Sequence, residues 1–189
     1  MNINRSVFIP LFLAALLMVA LATRSEAGTK TKKFDYIATG GFEPTLFIFP
    51  DLNQGDSITL EGTSTFGPVT VHEWATGLST QTVFPSCTLP GGAAGSQSTF
   101  GNSLEVVTFK ATGDVLLQNL VSGTGCVDNS GPPFPFEGTL TVTNVGGTGK
   151  FAGATGTVTL KFAGQYLSCG NNGCVGFVQH KENGSITTP

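Results

Sequence analysis

The sequence predicts an all-β protein, a single antiparallel β-barrel of eight or nine strands that follows an N-terminal signal peptide. Two observations predict this class. Beyond residue 27, no stretch repeats its apolar residues at helical spacing, whereas segments that alternate between polar and apolar residues recur along the chain. In addition, residues 146–156 include five glycines, which supply a corner where the strands of a closing sheet can bend.

Residues 1–27 have the layout of a secretory signal peptide, with a basic residue, an apolar run and a short polar stretch. Cleavage after Ala22 or after Ala27 fits the small-x-small rule, and the second site leaves one domain of residues 28–189. An uncleaved membrane anchor is the alternative, but the apolar run is shorter than the roughly 20 residues that cross a bilayer. We therefore predict a secreted or periplasmic protein without membrane contact after cleavage.

The charge of residues 28–189 weighs against a nucleic-acid partner. This part of the chain has seven lysines, no arginine and eleven acidic residues, which gives a formal charge of −4. Phosphate contacts require clustered cations. The one basic cluster, Lys30, Lys32 and Lys33, is interpreted as a solvated terminal segment. No nucleic-acid partner is predicted.

Four cysteines, Cys87, Cys126, Cys169 and Cys174, predict two disulfides in an exported chain, with three alternative pairings. We favour Cys169 with Cys174, because the residues between them resemble a hairpin tip. We favour Cys87 with Cys126, because both lie in segments rich in glycine, proline and serine. A zinc site requires more closely paired thiolates than the chain offers, so neither a metal nor another cofactor is predicted.

Nine segments rich in Val, Ile, Thr or Phe predict strands. They are residues 34–39, 45–49, 57–65, 69–75, 104–111, 115–121, 138–143, 157–165 and 175–180. Short turns at 50–56, 112–114 and 181–184 predict antiparallel neighbours. Segments 85–100 and 123–135 are predicted loops, because they are rich in glycine and proline.

The glycine corner follows a predicted strand and precedes a long one. Its key residues are Gly146, Gly147, Gly149, Phe151, Gly153 and Gly156. This pattern resembles the corner of the allene oxide cyclase and dirigent superfamily, especially its small exported bacterial members, and residues 110–114 resemble the central hairpin of that family. The resemblance covers residues 104–165. It implies an eight-stranded antiparallel barrel with a central cavity, often trimeric in the plant members, and it transfers no catalytic residue to this chain.

The densest cluster of polar and aromatic residues is His72, Glu73 and Trp74. Strand alternation places Glu73 on one face and His72 with Trp74 on the other. If the second face lines the cavity, the imidazole and the indole form a ligand cradle. If the first does, Glu73 is an interior carboxylate with a raised pKa and a use in acid–base chemistry. The plainer interpretation places His72 on the surface, and His180 is predicted to be exposed.

No catalytic residue is assigned, since two histidines support neither a Ser-His-Asp triad nor a His-rich metal site. We favour a non-enzymatic exported barrel that binds a small apolar molecule or a partner surface. One alternative is a cofactor-independent cyclase-like or dirigent-like enzyme in which Glu73 or His72 handles protons. Another is a self-associating surface or matrix protein, and the oligomeric state is open. An interior filled only by Phe, Leu and Val would weigh against ligand binding and catalysis.

Overall fold

The computed structural model describes residues 28–46, 54–76, 85–100, 103–170 and 173–189. These residues form ten strands, one short 3-10 helix and no α-helix, so the predicted all-β class is confirmed. The strands are β1 Lys30–Leu46, β2 Gln54–Ser64, β3 Gly67–Thr76, β4 Ser86–Thr88, β5 Ala94–Thr99, β6 Ser103–Phe109, β7 Val115–Asp128, β8 Phe134–Gly147, β9 Thr157–Gly170 and β10 Gly173–Thr188. The predicted signal peptide and most of the predicted 45–49 strand and 50–56 turn lie outside the described residues.

Eight strands form a closed ring in the order β1, β2, β3, β6, β7, β8, β9 and β10, with β10 paired to β1. Each neighbouring pair is antiparallel. The long strand β7 pairs with β6 along its first half and with β5 along its second half, so β4 and β5 extend from the ring as a short arm. Because every ring strand has two neighbours, alternate side chains point into a shared interior.

The glycine corner connects β8 to β9 and covers one end of the interior, called here the corner end. Four of its glycines have positive φ, a region that residues with a Cβ rarely adopt: Gly146, Gly149, Gly153 and Gly156. At Gly147 a Cβ would collide with the carbonyl oxygen of Val115. The corner contains the 3-10 helix, Gly149–Phe151, which turns the Phe151 ring inward to 2% exposure.

Aromatic side chains pack at both ends of the interior. At the corner end, the Phe151 ring stacks on Phe109 with centroids 4.3 Å apart, and both rings contact Phe66 edge to face. Five rings occupy the opposite end, called here the aromatic end: Phe42, Phe100, Phe136, Phe162 and Tyr166.

The loop predictions for two segments are wrong. Both segments contain strands, because hydrogen bonding to neighbouring strands outweighs the low strand propensity of their glycines and prolines. Segment 85–100 contains β4 and β5, while segment 123–135 contains the end of β7 and the start of β8. One glycine near this region serves packing, because a Cβ at Gly138 would collide with the ring of Phe162.

The predicted turn at 181–184 is also wrong, whereas the turn at 112–114 joins β6 to β7 with Gly113 at a φ of 73°. Residues 181–184 continue β10, which pairs with β1 on one edge and β9 on the other. Gly184 lies directly against Val158, where a Cβ would not fit. The glycine therefore permits close strand approach at a position where its Asn-Gly context suggests a turn.

The predicted disulfide between Cys87 and Cys126 is confirmed, and it links β4 to β7 across a sequence separation of 39. In the β9–β10 pair, Cys174 lies opposite Cys169. The side chain of Cys169 lies outside the described residues, so this second pairing stays a prediction.

Candidate functional site

The interior of the ring is not filled by apolar side chains alone. Between the corner end and the aromatic end lie seven polar side chains, none more than 5% exposed. We refer to them as the polar layer: Tyr36, Glu73, Glu105, Gln118, Asn144, His180 and Glu182. They come from six strands, so the layer exists only in the folded ring.

His180 lies close to two carboxylates. Its Nε2 is 3.7 Å from Oε2 of Glu73, and its Nδ1 is 3.7 Å from Oε2 of Glu105. Both distances exceed a hydrogen bond, and Nδ1 has no hydrogen-bond partner within the described part of the chain. The other oxygen of each carboxylate accepts a hydrogen bond at 2.6 Å, from Ser103 to Glu73 and from Tyr36 to Glu105. The hydroxyl groups thus hold both carboxylates against the imidazole.

Gln118 joins the remaining members of the layer. Its Nε2 donates to Oε1 of Glu182 at 2.6 Å and to Oδ1 of Asn144 at 2.9 Å. Three atoms have no hydrogen-bond partner in the described ranges of the chain: Oε1 of Gln118, Nδ2 of Asn144 and Oε2 of Glu182. This half of the layer therefore retains unused hydrogen-bonding capacity in a fully buried place.

Burial and neighbouring charges shift three pKa values in the polar layer. Burial lowers the pKa of His180, but the carboxylates of Glu105 and Glu73 outweigh it, so the pKa is raised. Burial, followed by the charge of Glu105, raises the pKa of Glu182 well above its ordinary value. Burial and the nearby carboxylates also raise the pKa of Tyr36 well above its ordinary value. These shifts favour a charged imidazole and a neutral Glu182.

We expect Glu182→Gln to raise the free energy of unfolding measurably at pH 8 and to have less effect at pH 4. The unfolded glutamate loses its proton near pH 4.3, whereas the folded one keeps it to higher pH. Wild-type stability from this group therefore falls as pH rises through that window, and glutamine has no proton to lose. Urea unfolding in EDTA, followed by the fluorescence of the single tryptophan, measures the difference.

The matched control for this measurement is Glu43→Gln, which removes an exposed carboxylate from β1. It should change the free energy of unfolding by less than about 0.5 kcal/mol at either pH. A Glu182→Gln effect of the same size at pH 4 and pH 8 would contradict the prediction.

A cavity of about 60 Å³ adjoins Glu73 and His180. Its remaining walls are apolar or aromatic: Phe42, Ile58, Phe100, Phe136, Leu140, Phe162, Tyr166 and Val178. A second cavity of about 260 Å³ is also lined by Phe100, Phe136, Phe162 and Tyr166, and it extends to Cys126 of the disulfide. The two cavities therefore adjoin at the aromatic end.

The structure separates the residues of the predicted cluster. Glu73 points inward and is 5% exposed, so it is the residue of this cluster that lines the cavity of about 60 Å³, called here the inner cavity. His72 and Trp74 lie on the outer face with their rings stacked and the centroids 6.3 Å apart. His72 Nδ1 is 3.2 Å from Oγ1 of Thr59. The interior-carboxylate alternative matches this geometry, and the cradle of His72 and Trp74 lies outside the interior.

The prediction that His180 is exposed is wrong, since it is 3% exposed. The prediction ended the last strand at this residue, but β10 continues to Thr188, and residue 180 keeps the inward parity of Val178 and Ile186. The alternation of residues 178–186 could have predicted that the side chains of His180 and Glu182 face the interior. Glu105 shares the inward parity of Val107 and Phe109 in β6, but Leu104 and Val106 are apolar at the opposite parity, so the sequence left the inner face of this strand undecided.

One atom from each of Glu73, Glu105 and His180 lies within 4.8 Å of the other two, so these residues are the candidate metal ligands among the described residues.

In the part of the chain that the structure describes, we find no helix long and apolar enough to cross a membrane. No protein-family model, curated protein or solved structure matches the chain.

Proposed function

We propose that this protein is an exported β-barrel of the allene oxide cyclase and dirigent type that binds a small apolar molecule at its aromatic end. The observation that carries this proposal is the inner cavity, whose walls are apolar and aromatic except at Glu73 and His180. Small-molecule pockets commonly combine an apolar lining with a few placed polar groups. The rings would contact the body of the ligand, and the polar pair would orient a polar atom on it.

Two further features support the architecture and the compartment. The closed ring of eight antiparallel strands and the position of the glycine corner between two strands are consistent with a barrel of this type. The disulfide between Cys87 and Cys126 favours an oxidising compartment, such as the periplasm or the cell exterior.

The cavity volumes bound the size of the ligand. A protein cavity of about 150 Å³ holds benzene. The inner cavity, at about 60 Å³, is too small for a ring, whereas the adjoining outer cavity of about 260 Å³ is large enough. We therefore expect a ligand with its ring or chain in the outer cavity and a small polar end directed toward Glu73.

Titration with a size-matched series tests this proposal: toluene, benzyl alcohol, cyclohexanone and a monoterpene alcohol, measured by calorimetry and by thermal unfolding in EDTA. At 100 times its Kd, a bound probe should stabilise the fold by about 2.7 kcal/mol. Val178→Phe, which fills the inner cavity wall, should weaken binding at least tenfold. Leu167→Phe on the outer surface is the matched control and should leave affinity unchanged. A series in which no probe changes the melting temperature would contradict the proposal.

A second candidate is a cofactor-independent enzyme that moves a proton on the bound molecule. The position of Glu73 favours it, because Ser103 holds one carboxylate oxygen while the other faces His180 beside the cavity. A fixed carboxylate next to an imidazole is a suitable general base. Glu73→Gln should then abolish product formation while neutral probes still bind, and His72→Ala should alter neither. Turnover that survives Glu73→Gln would remove this candidate.

A further inference from the structure

The polar layer contains more potential negative charge than positive charge. Two of its carboxylates, those of Glu73 and Glu105, face one imidazole, that of His180. All seven lysines of residues 28–189 are exposed, and this part of the sequence has no arginine. Buried carboxylates are costly unless a cation or a proton compensates them. The interior is therefore an environment that favours a cation.

The geometry places three ligand atoms around one point. Glu73 of β3, Glu105 of β6 and His180 of β10 each contribute one atom, and the three lie within 4.8 Å of one another. A tetrahedral ion with bonds of about 2.1 Å keeps its ligand atoms about 3.4 Å apart. A single ion binds one imidazole nitrogen, so one of the two 3.7 Å nitrogen–oxygen separations at His180 corresponds to this value, and the ligand atom of the other carboxylate lies within 4.8 Å.

Two independent features support a ligand at this point. Among the residues that the structure describes, Nδ1 of His180 has no hydrogen-bond partner, although the residue is only 3% exposed. Ser103 and Tyr36 hydrogen-bond the outer oxygens of the two carboxylates, leaving an oxygen of each directed at the imidazole. Metal ligands are commonly oriented by such outer-shell donors.

We propose that Glu73, Glu105 and one nitrogen of His180 bind one divalent transition-metal ion, Zn²⁺ or Mn²⁺, which displaces the proton that the imidazole carries in the absence of metal. One imidazole with two carboxylates suits these ions better than Ca²⁺ or Mg²⁺, which prefer all-oxygen sites. The two positive charges of a divalent ion also balance the negative charges of the two carboxylates. Three protein ligands leave a coordination position open, and Glu73 and His180 border the inner cavity. A polar atom of a molecule in that cavity is placed to take the open position.

The test uses untagged protein stripped with EDTA, dialysed, and titrated with Zn²⁺, Mn²⁺ or Mg²⁺ by calorimetry. We expect one Zn²⁺ or Mn²⁺ per chain, a higher melting temperature and no comparable response to Mg²⁺. Co²⁺ supplies a spectroscopic readout, because its visible d–d bands become much stronger when a four-coordinate protein site replaces the six water ligands of the free ion. Glu105→Gln and His180→Asn should each lower affinity at least 100-fold, and Tyr36→Phe should lower it 10- to 100-fold while leaving all three ligands in place.

Two control variants separate this site from other sources of binding. His72→Ala removes the only other histidine, on the outer face, and Glu182→Gln removes a carboxylate of the same layer outside the ligand set. Both should keep wild-type affinity. Near-UV circular dichroism checks the fold of each variant, and Tyr36→Phe remains informative if a ligand variant does not fold.

Stoichiometry far below one, affinity unaffected by Tyr36→Phe, or binding lost in His72→Ala would each overturn the metal site. The small-molecule titrations are made in EDTA, where no metal is bound. A negative result for metal binding therefore leaves the test of small-molecule binding unaffected.

Discussion

Phe151→Ala is expected to lower the free energy of unfolding by about 3 to 5 kcal/mol, the usual cost of truncating a fully buried phenylalanine. The ring is 2% exposed, stacks on Phe109 and contacts Phe66 edge to face. Nζ of Lys150 lies 5.0 Å from the centroids of all three rings, which adds a cation–π contact that the variant would weaken. Truncation therefore leaves a cavity at the corner end and removes the side chain that anchors the corner.

Urea unfolding monitored by tryptophan fluorescence measures this loss, and Phe177→Ala is the matched control. Phe177 is also a phenylalanine of the closed sheet, but it is 47% exposed, so its truncation should cost less than about 1 kcal/mol. Equal losses in the two variants would mean that the corner does not depend on Phe151 for its attachment to the interior.

Removing the Cys87–Cys126 disulfide is expected to lower the free energy of unfolding by about 4 kcal/mol, from the loop-entropy relation for a closed loop of this length. The loss of stability should be concentrated in the β4–β5 arm. β4 has three residues and, among the described strands, pairs only with β5, so the disulfide is its covalent link to the long strand β7. Without it, the β4–β5 arm should open before the ring does.

The double variant Cys87→Ala with Cys126→Ala, studied without reductant, isolates this bond from the other two cysteines. Hydrogen exchange should accelerate most at the amides of β4 and β5, while β1 and β10 keep their protection relative to global unfolding. Cys126 also lines the outer cavity, so affinity for an apolar probe should fall as well. An unchanged unfolding midpoint with unchanged exchange in the arm would contradict the prediction.

Several features of the fold follow from local sequence pattern. Alternation along 69–75 and 157–165 predicted strands that the structure contains, and the glycines at 146–156 predicted a corner between two strands, where the structure has one. The placement of Cys87 and Cys126 in two segments rich in glycine, proline and serine predicted the bond between them. Strand alternation and the need for positive φ both act within a few residues, so they can be read without knowledge of the rest of the chain.

Strand ends were predicted less well, because they depend on partners far away in the chain. Asn183 and Gly184 favour a turn locally, yet hydrogen bonding to β1 and β9 on both edges keeps them extended. The same extension of β10 explains why His180, which was predicted at a strand end, lies in the middle of the strand. Local propensity is worth little against two complete rows of backbone hydrogen bonds.

The sequence by itself determined that Glu73 and His72 face opposite ways, because alternation along one strand is local. Only the tertiary structure decided that Glu73 faces the interior, since the interior exists only after β7 pairs with β8 and the ring closes. The same closure brings Glu73, Glu105 and His180 together from three strands. Their proximity results from long-range strand pairing and register, which no local pattern in a single chain encodes.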